Sequence, residues 1–149
     1  MEAIARAVYK DLEAARAGRS IEFKLGPLPK VHADPGMMER IFTNLLDNAI
    51  KYSAPTQHAI IEVEGYVGNG EAVYLVRDNG VGFDMRFVGK LFGVFQRLHR
   101  PSEFSGTGIG LSIVKRIVTR HGGRVWAEGK LNHGTTIGFS LPQAEADNA

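Results

Sequence analysis

The chain has 149 residues, 44% of them hydrophobic and 23% charged, proportions that suit one globular domain with a sizeable core. Lys and Arg number 18 against 16 Asp and Glu, with no basic tract and no aromatic-basic stripe, so a nucleic-acid-binding surface is not expected. Without cysteine there is no disulfide framework or thiolate metal site, and no apolar run approaches the length of a membrane span or a signal-peptide core. The expected setting is a cytoplasmic domain without direct membrane insertion, whether its parent is soluble or membrane-anchored.

Residues 2 to about 17 place Ile4, Val8 and Leu12 at spacings of four and stop at Gly18, which predicts a leading helix. It is either the start of the domain or the remnant of an upstream dimerisation region over 1–18. Ile21 to Leu25 alternates with period two and predicts a half-buried strand; Gly26-Pro-Leu-Pro29 breaks regular structure, and a short extended piece is expected at Val31. Asp34-Pro35 is an N-cap followed by proline at the first helical position, opening a helix to about Tyr52. At about 100° per residue, Met38, Ile41, Phe42, Leu45 and Ala49 form its apolar stripe, and Asn44, Asn48 and Lys51 lie together beside it.

Ala59–Val67 and Ala72–Asp78 read as a hairpin through Gly68-Asn69-Gly70, the second strand being apolar on both faces and so central. Met85 to Phe95 has a short helical pattern, and residues 96–107 have none. Gly108 to His121 predicts a third long helix, with Leu111, Val114, Ile117 and Val118 on one face. Arg124–Glu128 and Thr135–Leu141 are the last strands, the latter alternating Ile137, Phe139 and Leu141 against Thr136, Gly138 and Ser140. Residues 143–149 form a polar tail expected to be disordered. Consecutive strand pairs imply an α+β fold of two layers, a mixed and largely antiparallel sheet with about three helices packed on one face.

Two motifs suggest a nucleotide. Asp78-Asn79-Gly80-Val81-Gly82 puts a carboxylate at the end of a buried strand, beside glycines that let a ligand approach the backbone. A buried carboxylate needs hydrogen bonds; an adenine amino group supplies one, where guanine presents a repelling carbonyl oxygen. Taken alone, Asp-Asn-Gly also reads as a simple turn. Gly106-Thr-Gly-Ile-Gly-Leu111 opens directly into a helix, so backbone N–H groups there can receive phosphate oxygens. It is neither a P-loop nor a dinucleotide fingerprint, and taken singly it also reads as a flexible hinge. Between the two motifs, Phe92 and Phe95 anchor a candidate lid from which Arg97 and Arg100 can reach a terminal phosphate or remain solvated. None of the five histidines has metal-ligand spacing.

In this order the motifs resemble the N box (Asn44 to Tyr52), G1 box (Asp78 to Gly82), F box (Phe92 to Phe95) and G2 box (Gly106 to Gly110) of sensor histidine kinases, and Gly134-Thr-Thr136 resembles their last glycine-threonine box. The resemblance covers about residues 19–142, the expected ATP-binding catalytic domain. Pro27 to Pro35 and Val94 to His99 further resemble phytochrome-like members. The resemblance implies a Bergerat ATP-binding fold in which Asp78 reads adenine and Asn48, helped by Asn44, holds Mg²⁺. It also implies that Lys51 offsets phosphate charge, Tyr52 borders the nucleotide, and Thr136 supports the Asp78 end of the pocket. Gly80, Gly82, Gly106, Thr107, Gly108, Ile109, Gly110 and Leu111 would line the nucleotide, with Asn44, Lys51, Arg97 and Arg100 assisting transfer. Family kinases phosphorylate a histidine on a separate dimerisation domain and pass the phosphate to a response regulator, yet no such acceptor box precedes the helix at Asp34. The chain is therefore expected to bind Mg-ATP without labelling itself. The alternatives are an ATPase or clamp of the gyrase, heat-shock chaperone and mismatch-repair group, or a nucleotide-sensing module. ATPases of that group carry a glutamate at the position of Asn44, and an amide cannot take a proton from water.

Overall fold

The computed structural model describes residues 1–92 and 110–143. Helix α1 (Glu2–Asp11) continues as a single 3-10 stretch, Glu13–Arg16, so the leading helix is shorter than its apolar spacing predicts. Strand β1 (Ile21–Leu25) follows, then helix α2 (Pro35–Tyr52). No ladder pairing forms at Val31. Pro27 and Pro29 offer no N–H for a ladder, and other bonds hold this segment: Leu28 N–H donates to Glu2 Oε1 at 2.7 Å and the Pro29 carbonyl accepts from the Tyr74 hydroxyl at 2.6 Å.

The N-terminus of α2 forms as its sequence dictates. Asp34 is extended, its Oδ1 accepts from Met37 N–H at 3.1 Å, and Pro35 occupies the first turn where no N–H is needed. Met38, Ile41, Phe42, Leu45, Leu46, Ala49 and Ile50 are the buried positions of this helix.

Strands β2 (Ala59–Gly68) and β3 (Glu71–Asp78) form a hairpin in which Gly68 pairs with Glu71. Its two-residue turn, Asn69-Gly70, has φ of 54° and 76°, the left-handed pair that a type I′ turn requires. A 3-10 stretch (Met85–Lys90) replaces the helix expected over 85–95, of which residues 93–95 lie outside the described residues. Helix α3 (Gly110–Arg120), β4 (Arg124–Lys130) and β5 (Gly134–Pro142) complete the chain.

The five strands lie in the order β1-β2-β3-β5-β4, so β3 is central, as its two-sided apolar sequence requires. β1 runs parallel to β2, and every other pair is antiparallel. One face of the sheet, bearing Ile61, Val63, Tyr74, Val76, Ile137 and Phe139, shares a core with residues from all three helices. Phe139 meets Phe42 edge-on at 5.8 Å and stacks on Tyr74 at 5.0 Å. Ala5 and Val8 of α1 belong to this core, and Tyr9 stacks on Phe23 of β1 at 3.8 Å with the Arg16 guanidinium over its ring. The α+β, two-layer architecture expected from the sequence is thus the observed one.

The opposite face carries no helix among the described residues. Glu62, Glu64, Arg77 and Glu128 lie on it, with Arg77 ion-paired to Glu64. Trp126 also lies there, over Gly138: a Cβ at that glycine would come within 2.4 Å of the indole, and the Arg124 guanidinium stacks on the ring at 4.5 Å. Among the described residues, no helix is long and apolar enough to cross a membrane.

Candidate functional site

Three segments meet at the β3 end of the helical layer. The first is the last turns of α2. Asp47 and Asn48 lie three and four positions after Asn44, and Lys51 four and three after them, so the four share a flank. Lys51 Nζ contacts Asp47 Oδ2 at 2.8 Å, both side chains being about one third exposed (28% and 31%). Asn44 donates through Nδ2 to the Arg40 carbonyl at 2.9 Å, leaving its Oδ1 toward α3, where a Cβ on Gly110 would lie 2.9 Å away. A side chain at the first residue of α3 would therefore push the Asn44 amide aside. Asn48 is half-buried, and its amide makes no hydrogen bond among the described residues.

The second segment is the loop after β3. Asp78 pairs with Ile61 on one side and Thr135 on the other, which puts its side chain on the helix-covered face. Burial pushes the Asp78 carboxyl up to about 6, against backbone N–H groups of Gly80 and Thr135 that pull it down. Gly80 N–H donates to Asp78 Oδ1 at 2.8 Å, and Val81 N–H donates to the Tyr52 carbonyl at 3.0 Å. A Cβ at Gly80 would fall 2.2 Å from that Tyr52 oxygen, so this glycine is required for the loop to close on α2. Gly82 packs as closely on the Lys130 carbonyl.

Asn79 holds the same loop from its other side. Its Oδ1 accepts from Ile60 N–H at 2.8 Å, its Nδ2 donates to the His58 carbonyl at 3.1 Å, and its own carbonyl accepts from the Thr56 hydroxyl at 3.2 Å. Sequence reasoning treated Asn79 only as part of a motif, because its role depends on the register of β2 against β3.

The third segment is the start of β5, which carries two threonines on opposite faces. Thr136 pairs with Arg77 and accepts from its Nε at 3.3 Å, on the sheet face opposite Asp78. Thr135 is the residue that faces Asp78 across the ladder. The strand's own alternation carried the signal, since Ile137, Phe139 and Leu141 point into the core and Thr135 continues that series.

The structure thus brings Gly80 against Tyr52 beside Asp78 and Gly110 against Asn44, while Thr136 lies on the sheet face opposite the Asp78 side chain. Arg97, Arg100, Gly106, Thr107, Gly108 and Ile109 lie outside the described residues. Among the described residues, no group of three or more His, Asp or Glu side chains gathers in a way that could hold a metal ion.

This arrangement has one buried acceptor at the end of a strand, glycines packed to backbone contact, and an amide-rich helix flank facing the start of a second helix. It suits a planar base with an exocyclic amino group at Asp78 and a polyanion lying toward Asn44 and Gly110.

Comparison with known proteins agrees with that reading. Residues 33–145 match the family model described as histidine kinase-, DNA gyrase B-, and HSP90-like ATPase. The methanogenesis regulatory histidine kinase FilI of Methanothrix harundinacea is 44% identical over 114 residues, which is 76% of this chain and 13% of that protein. The phytochrome-like protein Cph1 of Synechocystis sp. is 39% identical over 81% of this chain and 16% of its own length. The chain therefore spans about one seventh of these relatives. Among solved structures, the catalytic domain of histidine kinase ThkA superposes with a TM-score of 0.80 at 25% identity, covering 96% of this chain and 92% of that domain.

Proposed function

The chain belongs to the family of histidine kinase-, DNA gyrase B- and HSP90-like ATPases, as the ATP-binding catalytic domain of a sensor histidine kinase, and from that premise we propose that it binds Mg-ATP and transfers the γ-phosphate to a histidine on a dimerisation domain. The acceptor domain then passes the phosphate to a response regulator, in the cytoplasm.

In this reading Asp78 accepts a hydrogen bond from the adenine amino group, with Thr135 in place of Thr136 beside it. Lys51 exchanges the Asp47 carboxylate for phosphate oxygens, and the N–H groups at the start of α3 receive phosphate charge. Asn48 fits a cation because its half-buried amide oxygen has no partner among the described residues, and Mg²⁺ takes neutral oxygen ligands together with phosphates and water. Bound there with the nucleotide, the ion offsets the negative charge of the phosphates. Arg97, Arg100 and the glycines from Gly106 to Gly108 complete the phosphate end of the proposal.

One observation carries the choice of transfer over hydrolysis. The residue against the α3 N-terminus is the amide Asn44, which cannot take a proton from water. Positioning and charge stabilisation, which phosphoryl transfer depends on most, are what the site supplies.

Incubation with γ-labelled ATP and Mg²⁺ tests this. The expected result is no acid-labile label on the chain alone and label on an added histidine-bearing dimerisation domain from its own parent, lost in Asn48→Ala. Efficient release of free phosphate, also lost in Asn48→Ala, would instead favour an ATPase.

A further inference from the structure

The last four carbonyls of a helix have no partner within it, and each must be met from elsewhere. In α2 they are met by donors from four residues. The Ala49 carbonyl accepts from Ser53 N–H at 3.2 Å, the Lys51 carbonyl from Ala54 N–H at 3.1 Å, and the Tyr52 carbonyl from Val81 N–H at 3.0 Å. The fourth, Ile50, accepts from the guanidinium of Arg19, which also donates through Nη2 to the Ser53 hydroxyl at 3.0 Å. Ser53 is fully buried, and its hydroxyl in turn donates to the same Ile50 carbonyl at 3.2 Å.

Arg19 comes from outside the helix and outside the motifs. It follows Gly18, whose φ of 75° turns the chain from the 3-10 stretch toward β1, and its own N–H donates to the Arg16 carbonyl at 3.1 Å. A cation at a helix C-terminus is favoured by the helix dipole, and a guanidinium can serve two acceptors in one plane. The turn it closes is the one that carries Lys51 and Tyr52 and whose last carbonyl docks the Asp78–Gly82 loop.

We propose that Arg19 is a positioning residue for nucleotide binding: by capping α2 it fixes the turn that holds Lys51, Tyr52 and, through the Tyr52 carbonyl, the loop of Asp78. This rests on the reading of the site as an ATP site, but its mechanical half does not, since the loop should loosen without nucleotide.

The test compares Arg19→Ala, Arg19→Lys and Val8→Ala with the parent, well below each melting temperature. Val8→Ala is a core control on α1, outside the capping contacts of Arg19. ATP affinity is measured by calorimetry, and exchange of the Val81 amide by NMR without nucleotide. Arg19→Ala is expected to weaken ATP binding by about tenfold, the size of one lost charged hydrogen bond, and to speed Val81 exchange. Arg19→Lys is expected to recover part of both, and Val8→Ala to change neither beyond its effect on melting. Affinity within twofold of the parent and unchanged Val81 exchange in Arg19→Ala overturn the proposal while leaving the ATP site intact. If Arg19→Ala does not fold, the same limits applied to Arg19→Lys decide it. A parent that fails to bind ATP overturns the nucleotide reading and the affinity half, and Val81 exchange then decides the mechanical half alone.

Discussion

Asp78 is held in the helix-covered layer with its carboxyl near 6, because the burial that makes it a base reader also penalises its charge. The sign for folding follows from proton counting. Between about pH 4 and pH 6 the native state keeps a proton that the unfolded chain has released, so this group's contribution to stability is present below that window and lost as pH rises through it. Asp78→Asn removes the titration and keeps an acceptor for Gly80. The expected outcome for the ligand-free domain is a flatter dependence of melting temperature on pH between 4 and 6, and a gain on the order of 1 kcal/mol above it. The same variant is expected to weaken ATP binding and to narrow its preference over GTP, read by calorimetry; a ligand-free stability that still falls across that window would place the burial cost elsewhere. The two threonines separate in a similar test. Thr135→Val is expected to weaken ATP binding several-fold, whereas Thr136→Val should leave it unchanged, because Thr136 meets Arg77 on the other face.

At the scale of elements, α2 was legible almost to the residue, since cap, first-turn proline and apolar period all agreed. Its two ends do separate work. Asp34→Ala is expected to cost about 1 kcal/mol of stability by thermal unfolding, with ATP affinity unchanged, because the cap lies about 27 Å of helix from Tyr52. The hairpin was equally plain, its turn residues being of the type that accepts positive φ. Less was legible where tertiary bonds decide. The proline-broken segment after β1 showed no regular pattern in sequence, and it is Glu2 and Tyr74 that tie it down. The end of α1 tightens into a 3-10 stretch that apolar spacing alone does not distinguish. A motif gives a residue's neighbourhood, whereas the strand's period gives its face, and here it is Thr135, one position before Thr136, that shares the face of Asp78. Asn79 and Arg19 were out of reach, since their partners lie 19 and 31 or more positions away and only the folded register brings them near.

At the scale of the whole molecule, the helices among the described residues lie on one face of the sheet, and the proposed nucleotide site lies on that side. The chain has a single tryptophan, and it lies on the face that carries no helix among the described residues, fixed between Gly138 and Arg124. Optically, then, the protein carries a natural lamp pointing away from the proposed nucleotide site. Its emission is expected to stay constant through an ATP titration and to change cooperatively when the sheet unfolds in denaturant. Intrinsic fluorescence would thus report folding with little interference from ligand, so that a ligand-dependent shift of the unfolding midpoint can be read as binding energy. A direct change of emission on adding ATP, with no change in folding, would mean that the two faces of the sheet communicate.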